Sequence, residues 1–203
     1  MGFDIIVIGS GVIGHSIAYR LKEEDPQLRV AVLGDPVNSL QASRAAAGML
    51  APFCECSVAD SFFEFCRESL NMFPGFLEKL SSVSEVPVYF SQAGSLMPSS
   101  SFSDSWDERK QFFESESIPY EIWDENKIQE KAPYLSKECG EIMWVGEGQV
   151  NNRQLHDSLI AASRKLGVHI LEANVSGFIR KESSVRENFQ GFALYLQFSA
   201  ELF

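Results

Sequence analysis

Positive charge and histidine are both scarce in this chain. Lys and Arg number 17 against 28 Asp and Glu, a formal net charge of −11. Such a chain repels nucleic acid and anionic membrane alike, so neither is an expected partner. The three histidines, His15, His156 and His169, lie far apart in sequence with no clustering. Each reads as structural or solvated rather than as a proton shuttle. Cysteine is limited to Cys54, Cys56, Cys66 and Cys139. Cys54-x-Cys56 lacks the two-residue spacer of a zinc knuckle and has no histidine beside it. No metal is expected, and the thiols read as reduced and structural. Long apolar runs are missing as well. Ile5 to Ile8, behind Asp4, is too short for a signal-peptide core, and nothing approaches the roughly 20 residues of a membrane span. A cytoplasmic protein is the expectation.

What is present suits a globular domain. With 45% hydrophobic and 22% charged residues, wholesale disorder is excluded. A length of 203 residues allows one good core, or one domain and part of a second. Residues 3–8 read as a buried parallel strand. From Val12, the apolar residues Ile13, Ile17, Ala18 and Leu21 recur at helical spacing up to Asp25-Pro26. Val30-Ala31-Val32-Leu33 is a second buried strand, completing a βαβ unit. A helix is expected from Ser61, where Ser61-x-x-Glu64 has the form of a capping box, with Pro74 kinking or breaking it. Residues 86–97, around Ser91-Gln92-Ala93-Gly94, read as a hairpin, and 99–105 as a polar loop. Helices at 106–116 and 125–131, a strand at 141–145 and a helix from Leu155 to Gly167 follow. Strands at 168–171, 175–180 and 192–198 would close the fold. The expected fold class is α/β: a Rossmann-type dinucleotide-binding domain (1–84) interrupted by a mostly β segment (85–147) and resumed, incompletely, over 148–203.

One motif carries chemistry. Gly9-Ser10-Gly11-Val12-Ile13-Gly14 stands between the first strand and first helix, the context that makes GxGxxG informative. Gly9 permits the tight turn, Gly11 lets a pyrophosphate approach the backbone, and Gly14 lets helix and strand pack closely. The helix N-terminus then offers free N–H groups and partial positive charge to phosphate. An acid at the end of the second strand accepts hydrogen bonds from ribose hydroxyls in this motif. The strand ends Leu33-Gly34-Asp35-Pro36, so Asp35 takes that role, or merely opens a turn before Pro36. The small residues of 42–51 would let a flat ring or phosphate touch the backbone, although composition alone favours a helix there.

With Ala45-Ala46-Ala47-Gly48-Met49-Leu50, the opening motif and Leu33-Gly34-Asp35, the chain resembles the D-amino-acid oxidase superfamily of flavoproteins, in its glycine-oxidase branch of thiamine biosynthesis. The likeness continues through Glu55-Cys56, Asp60-x-Phe62-Phe63-x-Phe65, Ala93-Gly94, Ala132-Pro133-Tyr134 and Gly148-Gln149-Val150, most of the first 180 residues. The resemblance implies FAD as cofactor. It implies that the backbone of Val12 and Ile13 lies along the pyrophosphate, and that Gly34 and Asp35 meet the adenosine ribose. Gly34 departs from the Glu of the nearest relatives. Ala42 and Ser43 match a pair that is often Thr-Thr, of which only Ser43 keeps a hydroxyl. Ala47, Gly48 and Met49 match the segment against the flavin ring, and Val175 a residue whose backbone meets adenine.

The family reaction is oxidative deamination of a small amino acid or amine (glycine, sarcosine or a D-amino acid) by O2, giving imine and hydrogen peroxide. Glu55 and Asp60 read as helix-start and surface acids, and no catalytic residue is assigned. The family's substrate-carboxylate arginine and a glycine-rich flavin loop belong to later sequence. The chain therefore reads as a fragment, a truncated product, or one of two complementing chains, and as a poor oxidase by itself. Its expected partners are the small substrate and either a second copy or a C-terminal chain. Three other readings stand beside this one: an FAD-binding remnant without turnover, a flavin dehydrogenase or tRNA-modifying flavoenzyme of the same superfamily, and an NAD-linked dehydrogenase, in which the alanine–glycine–methionine block would have no role.

Overall fold

The computed structural model describes residues 2–35, 42–102, 105–181 and 193–199. In chain order the first elements are β1 (Ile5–Ile8), α1 (Val12–Glu24), β2 (Val30–Leu33), α2 (Ala42–Ala45), β3 (Met49–Leu50) and α3 (Pro52–Glu55). There follow α4 (Ser61–Ser84), β4 (Phe90–Ser91), β5 (Ser95–Pro98), α5 (Trp106–Ser115), β6 (Tyr120–Trp123) and α6 (Glu125–Lys131). The last are β7 (Ile142–Val145), β8 (Gly148–Val150), α7 (Asn152–Lys165), β9 (His169–Leu171), β10 (Asn174–Lys181) and β11 (Ala193–Ser199). Two compact units interleave along the chain: Met1–Ala45, Leu80–Pro87 and Arg153–Phe203 in the first, Ala46–Lys79 and Val88–Asn152 in the second.

In the first unit β1, β2 and β9 form a parallel sheet in that order, with Ile5 opposite Val30 and Ala31 opposite His169. β2 is central and wholly buried, as a strand covered on both faces must be. β1 differs from the expected buried strand: Ile6 and Ile8 are 37% and 48% exposed. The apolar stripe of α1 is also rotated from the expected one. Gly14, His15, Ala18, Tyr19 and Lys22 are buried, while Ile13 and Ile17 face outward. Ala18 packs with Val30, Val32 and Val168, and Gly14 lies against Gly9 and Val7, an approach that the bulkier isoleucines would prevent. Lys22 turns its ammonium inward to the carbonyls of Pro26 and Leu28, closing the turn into β2. Of the three strands expected at the end, β9 alone joins this sheet. β10 and β11 pair antiparallel as a sheet of their own. Pro36, Ser103, Asp104 and Phe192 lie outside the described residues.

The second unit holds two antiparallel sheets, β3-β8-β4 and β5-β7-β6. Its core is Phe63, Met97, Phe112, Phe113, Ile118, Met143 and Val145, with Phe63 and Phe112 meeting edge-on at 5.3 Å. The hairpin expected over 86–97 does not form. β4 pairs with β8 and β5 with β7, so the chain changes sheets between Ser91 and Ser95. Gly94, at φ +91°, permits the swing, and the turn is tied down from outside: Trp144 Nε1 donates to the Ala93 carbonyl at 2.9 Å. The strand β6 went unforeseen, and it supplies β7 with its second neighbour.

α4 departs from expectation at both ends of the argument. Its cap is Asp60, whose Oδ1 accepts from the amides of Phe62 and Phe63 at 3.0 and 2.9 Å, rather than a Ser61–Glu64 box. It also runs unbroken through Pro74 to Ser84. Phe63, Leu70, Leu77 and Leu80 place buried side chains before and after the proline, and that burial outweighs one lost backbone bond. Because Pro74 is exposed, its replacement alters no packing. Pro74→Ala is expected to raise stability by about 1–3 kcal/mol, somewhat less than the full helix-interior difference between the two residues. Urea unfolding measures it; an unchanged or lowered midpoint would show that the helix carries no penalty there.

Candidate functional site

The first unit builds its concave feature where β1 hands over to α1. Gly9, at φ +108°, donates its N–H to Leu33 O at 2.8 Å and turns the chain across the end of β2. Gly11 caps α1 without a side chain. A Cβ on Gly14 would lie 1.8 Å from the Gly9 carbonyl oxygen, so helix and loop approach as only glycine allows. The first-turn amides have no helical acceptors and carry the positive end of the α1 dipole. That of Val12 is met by Ser43 Oγ at 3.0 Å, which brings α2 against the loop. Ile13 follows with its side chain 74% exposed.

Gly34 sits across this loop at φ +149°. A Cβ there would come within 2.7 Å of Ser10 Oγ and 2.9 Å of the Ser10 amide nitrogen. Ser10 is itself only 3% exposed, so its side chain fills the space that a side chain at position 34 would need. Position 34 therefore has no room for a side chain. Asp35 follows, exposed, at the end of β2. Ala42 and Ser43 open α2, and Val175 stands in the same unit on β10, opposite Phe198.

Ala47, Gly48 and Met49 belong to the second unit. Gly48, at φ +76°, prevents the alanine-rich stretch from continuing as a helix. A Cβ there would lie 1.9 Å from Val150 O, while Gly48 O accepts from Val150 N at 2.8 Å. Ala47 is exposed, and Met49 is 57% exposed on β3. Beside them lies a cavity of about 460 Å3 walled by Met49, Leu50, Pro52, Phe62, Phe65 and Phe73. Glu55, exposed on α3, lines it too, with Cys56 and Cys66.

Two side chains that no local motif announces fix α3. Glu147, 2% exposed, accepts from the amides of Phe53 and Cys54 at 2.6 and 2.9 Å. Arg109 donates to the carbonyls of Phe53, Cys54 and Cys56, the last at 2.6 Å. Burial, with the Glu147 carboxylate adding to it, pushes the Cys54 thiol up to about 12, and burial raises that of Cys56. Neither is a thiolate nucleophile near neutral pH. Among the described residues no group of His, Cys, Asp and Glu could hold a metal ion.

The histidines need a correction. His15 and His156, distant in sequence, are both fully buried with ring centroids 5.8 Å apart. His15 Nδ1 lies 3.2 Å from Ser163 Oγ. His156 Nε2 reaches the Ser10 carbonyl at 2.8 Å, and its Nδ1 lies 3.4 Å from Arg44 Nη1. Sequence reading had no signal for this pair, because tertiary packing of α7 on α1 creates it. His169 stays exposed, tilted against Phe3.

Comparisons with known proteins agree with this geometry. Residues 4–193 match the family described as DAO, FAD dependent oxidoreductase. The bifunctional protein ThiO/ThiG of Trichormus variabilis is 32% identical over 185 residues, which cover 90% of this chain and 28% of that protein. Glycine oxidase of Bacillus subtilis is 28% identical over 171 residues, 84% of this chain and 45% of that protein. The crystal structure of glycine oxidase from Geobacillus kaustophilus superposes with a TM-score of 0.81 at 23% identity, covering 96% of this chain and 51% of that one. The chain thus spans about half or less of the length of the relatives it matches. No helix among the described residues is long and apolar enough to cross a membrane.

Buried His15 generates a pH prediction. Burial, with His156 and Arg164 adding, lowers its pKa to about 4, below the 6.5 of an open chain. The unfolded chain takes the proton first, so this stabilisation is complete above about pH 6.5 and is lost as pH falls toward 4. The loss amounts to roughly 1–3 kcal/mol. Urea midpoints at pH 7 and pH 5 should fall further for the natural chain than for His15→Asn, whose amide keeps a partner for Ser163. Equal responses would remove His15 as the source.

Proposed function

The chain belongs to the DAO family of FAD-dependent oxidoreductases, and we propose that it forms the FAD-binding part of an oxidase of small amino acids or amines. The observation that carries this reading is the cradle at the start of α1. Gly14 has no room for a Cβ, Gly11 leaves the helix end bare, and Ser43 borders the first-turn amides. A pyrophosphate fits such a helix end in charge and in hydrogen-bonding. In this proposal the backbone from Gly9 through Gly14 holds the pyrophosphate, with Ser43 and the neighbouring Ala42 beside it. The Asp35 carboxylate accepts from the adenosine ribose next to Gly34, and the Val175 backbone meets adenine. Ala47, Gly48 and Met49 present small and apolar surface to the flavin ring.

When bound, FAD would supply the redox chemistry: the substrate's α-carbon would lose its hydrogen with two electrons and its nitrogen a proton, leaving imine, and O2 would take the two electrons and two protons as hydrogen peroxide. The substrates in this reading are glycine, sarcosine or D-amino acids, supported by the glycine oxidases among the relatives. The proposal divides the chain into an FAD-binding part at 1–84, a substrate-domain segment at 85–147 and a resumed FAD-binding part at 148–203. Its partners are the substrate and a second copy, in the cytoplasm.

Flavin absorbance of the purified chain with added FAD, together with a peroxide-coupled assay on glycine, sarcosine and D-alanine, tests the reading. Flavin binding without peroxide would favour a dehydrogenase or a module without turnover. No flavin binding would overturn it. Gly11→Val should abolish binding, because a branched side chain fills the approach of the phosphate. Asp35→Ala should weaken it by about 1–3 kcal/mol, the value of a charged hydrogen-bond partner. An unchanged dissociation constant would return Asp35 to the role of a turn residue.

A further inference from the structure

We infer that His156, held by Arg44, is a positioning residue for the dinucleotide loop, an inference that rests on the FAD-binding reading above. Two walls of the cradle are fastened to α7 through these side chains. On one side His156 Nε2 meets the carbonyl of Ser10, the residue between the first two motif glycines, at 2.8 Å. On the other, Arg44 follows Ser43, whose hydroxyl takes the Val12 amide. The Arg44 guanidinium contacts His156 Nδ1 and, at 2.8 Å, Asp157. Arg153 Nε reaches back to the Arg44 carbonyl at 3.4 Å. The loop and α2 are therefore tied to one helix and, through Ser43 and Val12, to each other.

The contacts fix the chemistry of the ring. A guanidinium only donates, so Nδ1 facing Arg44 is the acceptor and the ring proton sits on Nε2. Nε2–H then donates to the Ser10 oxygen, and both contacts call for the same placement of the ring proton. A planar trans peptide points its C=O and its N–H in opposite directions. Holding the Ser10 oxygen toward His156 turns the Gly11 N–H to the other side of the loop. His156 is fully buried and Ser10 is 3% exposed, so water does not replace the bond if it is lost.

Two polar substitutions separate this role from general packing. In His156→Gln the terminal amide reaches the Nε2 position and can still donate to Ser10. In His156→Asn the amide reaches only the Nδ1 position and the donor that His156 offers the Ser10 carbonyl is lost. Ser158→Ala serves as a control on the same helix, removing a buried hydroxyl that pairs with Ser84 at 2.7 Å and has no bond to the loop. FAD dissociation constants come from flavin fluorescence, folding from thermal melts, and loop order from hydrogen exchange over residues 9–14 without FAD. We expect the Asn variant to bind FAD about tenfold more weakly and to exchange faster in the loop, the effect of one lost buried hydrogen bond. The Gln variant should stay within about threefold of the natural chain, and Ser158→Ala should match it in both readouts.

The inference is overturned by a folded Asn variant with natural affinity and natural exchange. It is overturned equally by a Gln variant as weak as Asn, or by a control that weakens FAD as much. Should the Asn variant fail to melt cooperatively, the Gln variant still decides, since it must bind and exchange like the natural chain. Should the natural chain bind no FAD, the FAD-binding reading fails. Exchange in the loop then tests the brace by itself, and unchanged exchange in the Asn variant sinks it.

Discussion

The missing Cβ of Gly14 is the constraint on which the first unit depends. A methyl group there would overlap a backbone oxygen, that of Gly9, and not the yielding end of a side chain. Gly9 has little freedom to withdraw, since its own N–H is engaged by the end of β2. The helix can therefore start directly at the strand end. From that start follow the fit of Ala18 on the sheet and the presentation of first-turn amides at the carboxyl edge of the parallel strands. A looser turn would shift the helix along its axis and uncover Val30 and Val32, whose complete burial holds this sheet to its helix.

A different balance governs the second unit. The one-turn helix α3 is too short to persist by its own hydrogen bonds. It is held by opposite charges at its two ends, Glu147 at the amides and Arg109 at the carbonyls, each where the helix dipole favours it. Burying a carboxylate costs several kcal/mol unless its oxygens find donors. Two amide donors on one oxygen offset part of that cost, and the other oxygen, Oε2, is buried without a hydrogen-bond partner. The segment from Met49 to Cys56 is thereby fixed by groups from the β7–β8 turn and α5. The aromatic residues of α4 complete the wall of its cavity.

How much of this was legible depended on whether the signal was local. The glycine spacing, the β-branched run of β2 and the helices at Trp106 and Glu125 are determined by neighbours in sequence, and they stood out. The loop residues from Gly9 to Gly14, with Gly34 and Asp35, could be placed for the same reason. The 86–97 hairpin was misread because both strands prefer partners much later in the chain, where Trp144 and Val150 lie. Ala18 and Gly14 pack inward as read, but Ile13 and Ile17 were misplaced, because closeness to the sheet leaves no room for larger isoleucines. Asp60 and Ser61 are both good helix caps, and only the folded chain shows which carboxylate or hydroxyl reaches the amides. Glu147, Arg109 and the His15–His156 pair had no sequence signature, because each takes its role from elements far away in the chain.

Ser10 and Gly34 show how two residues far apart in sequence can share one space in the loop. The two positions face each other across the loop, and the space between them admits one side chain. Here it is taken by the Ser10 hydroxymethyl group, and Gly34 consequently stands bare at a positive φ that disfavours any other residue. A side chain at 34 would meet the Ser10 amide as well as its side chain, so Ser10→Gly would relieve only part of the conflict. The two residues must therefore be read as a unit. Their coupling leaves Asp35 as the acid that closes β2. The carbonyl of the same Ser10 faces His156, so one residue of the loop meets both the end of β2 and the helix that braces the loop.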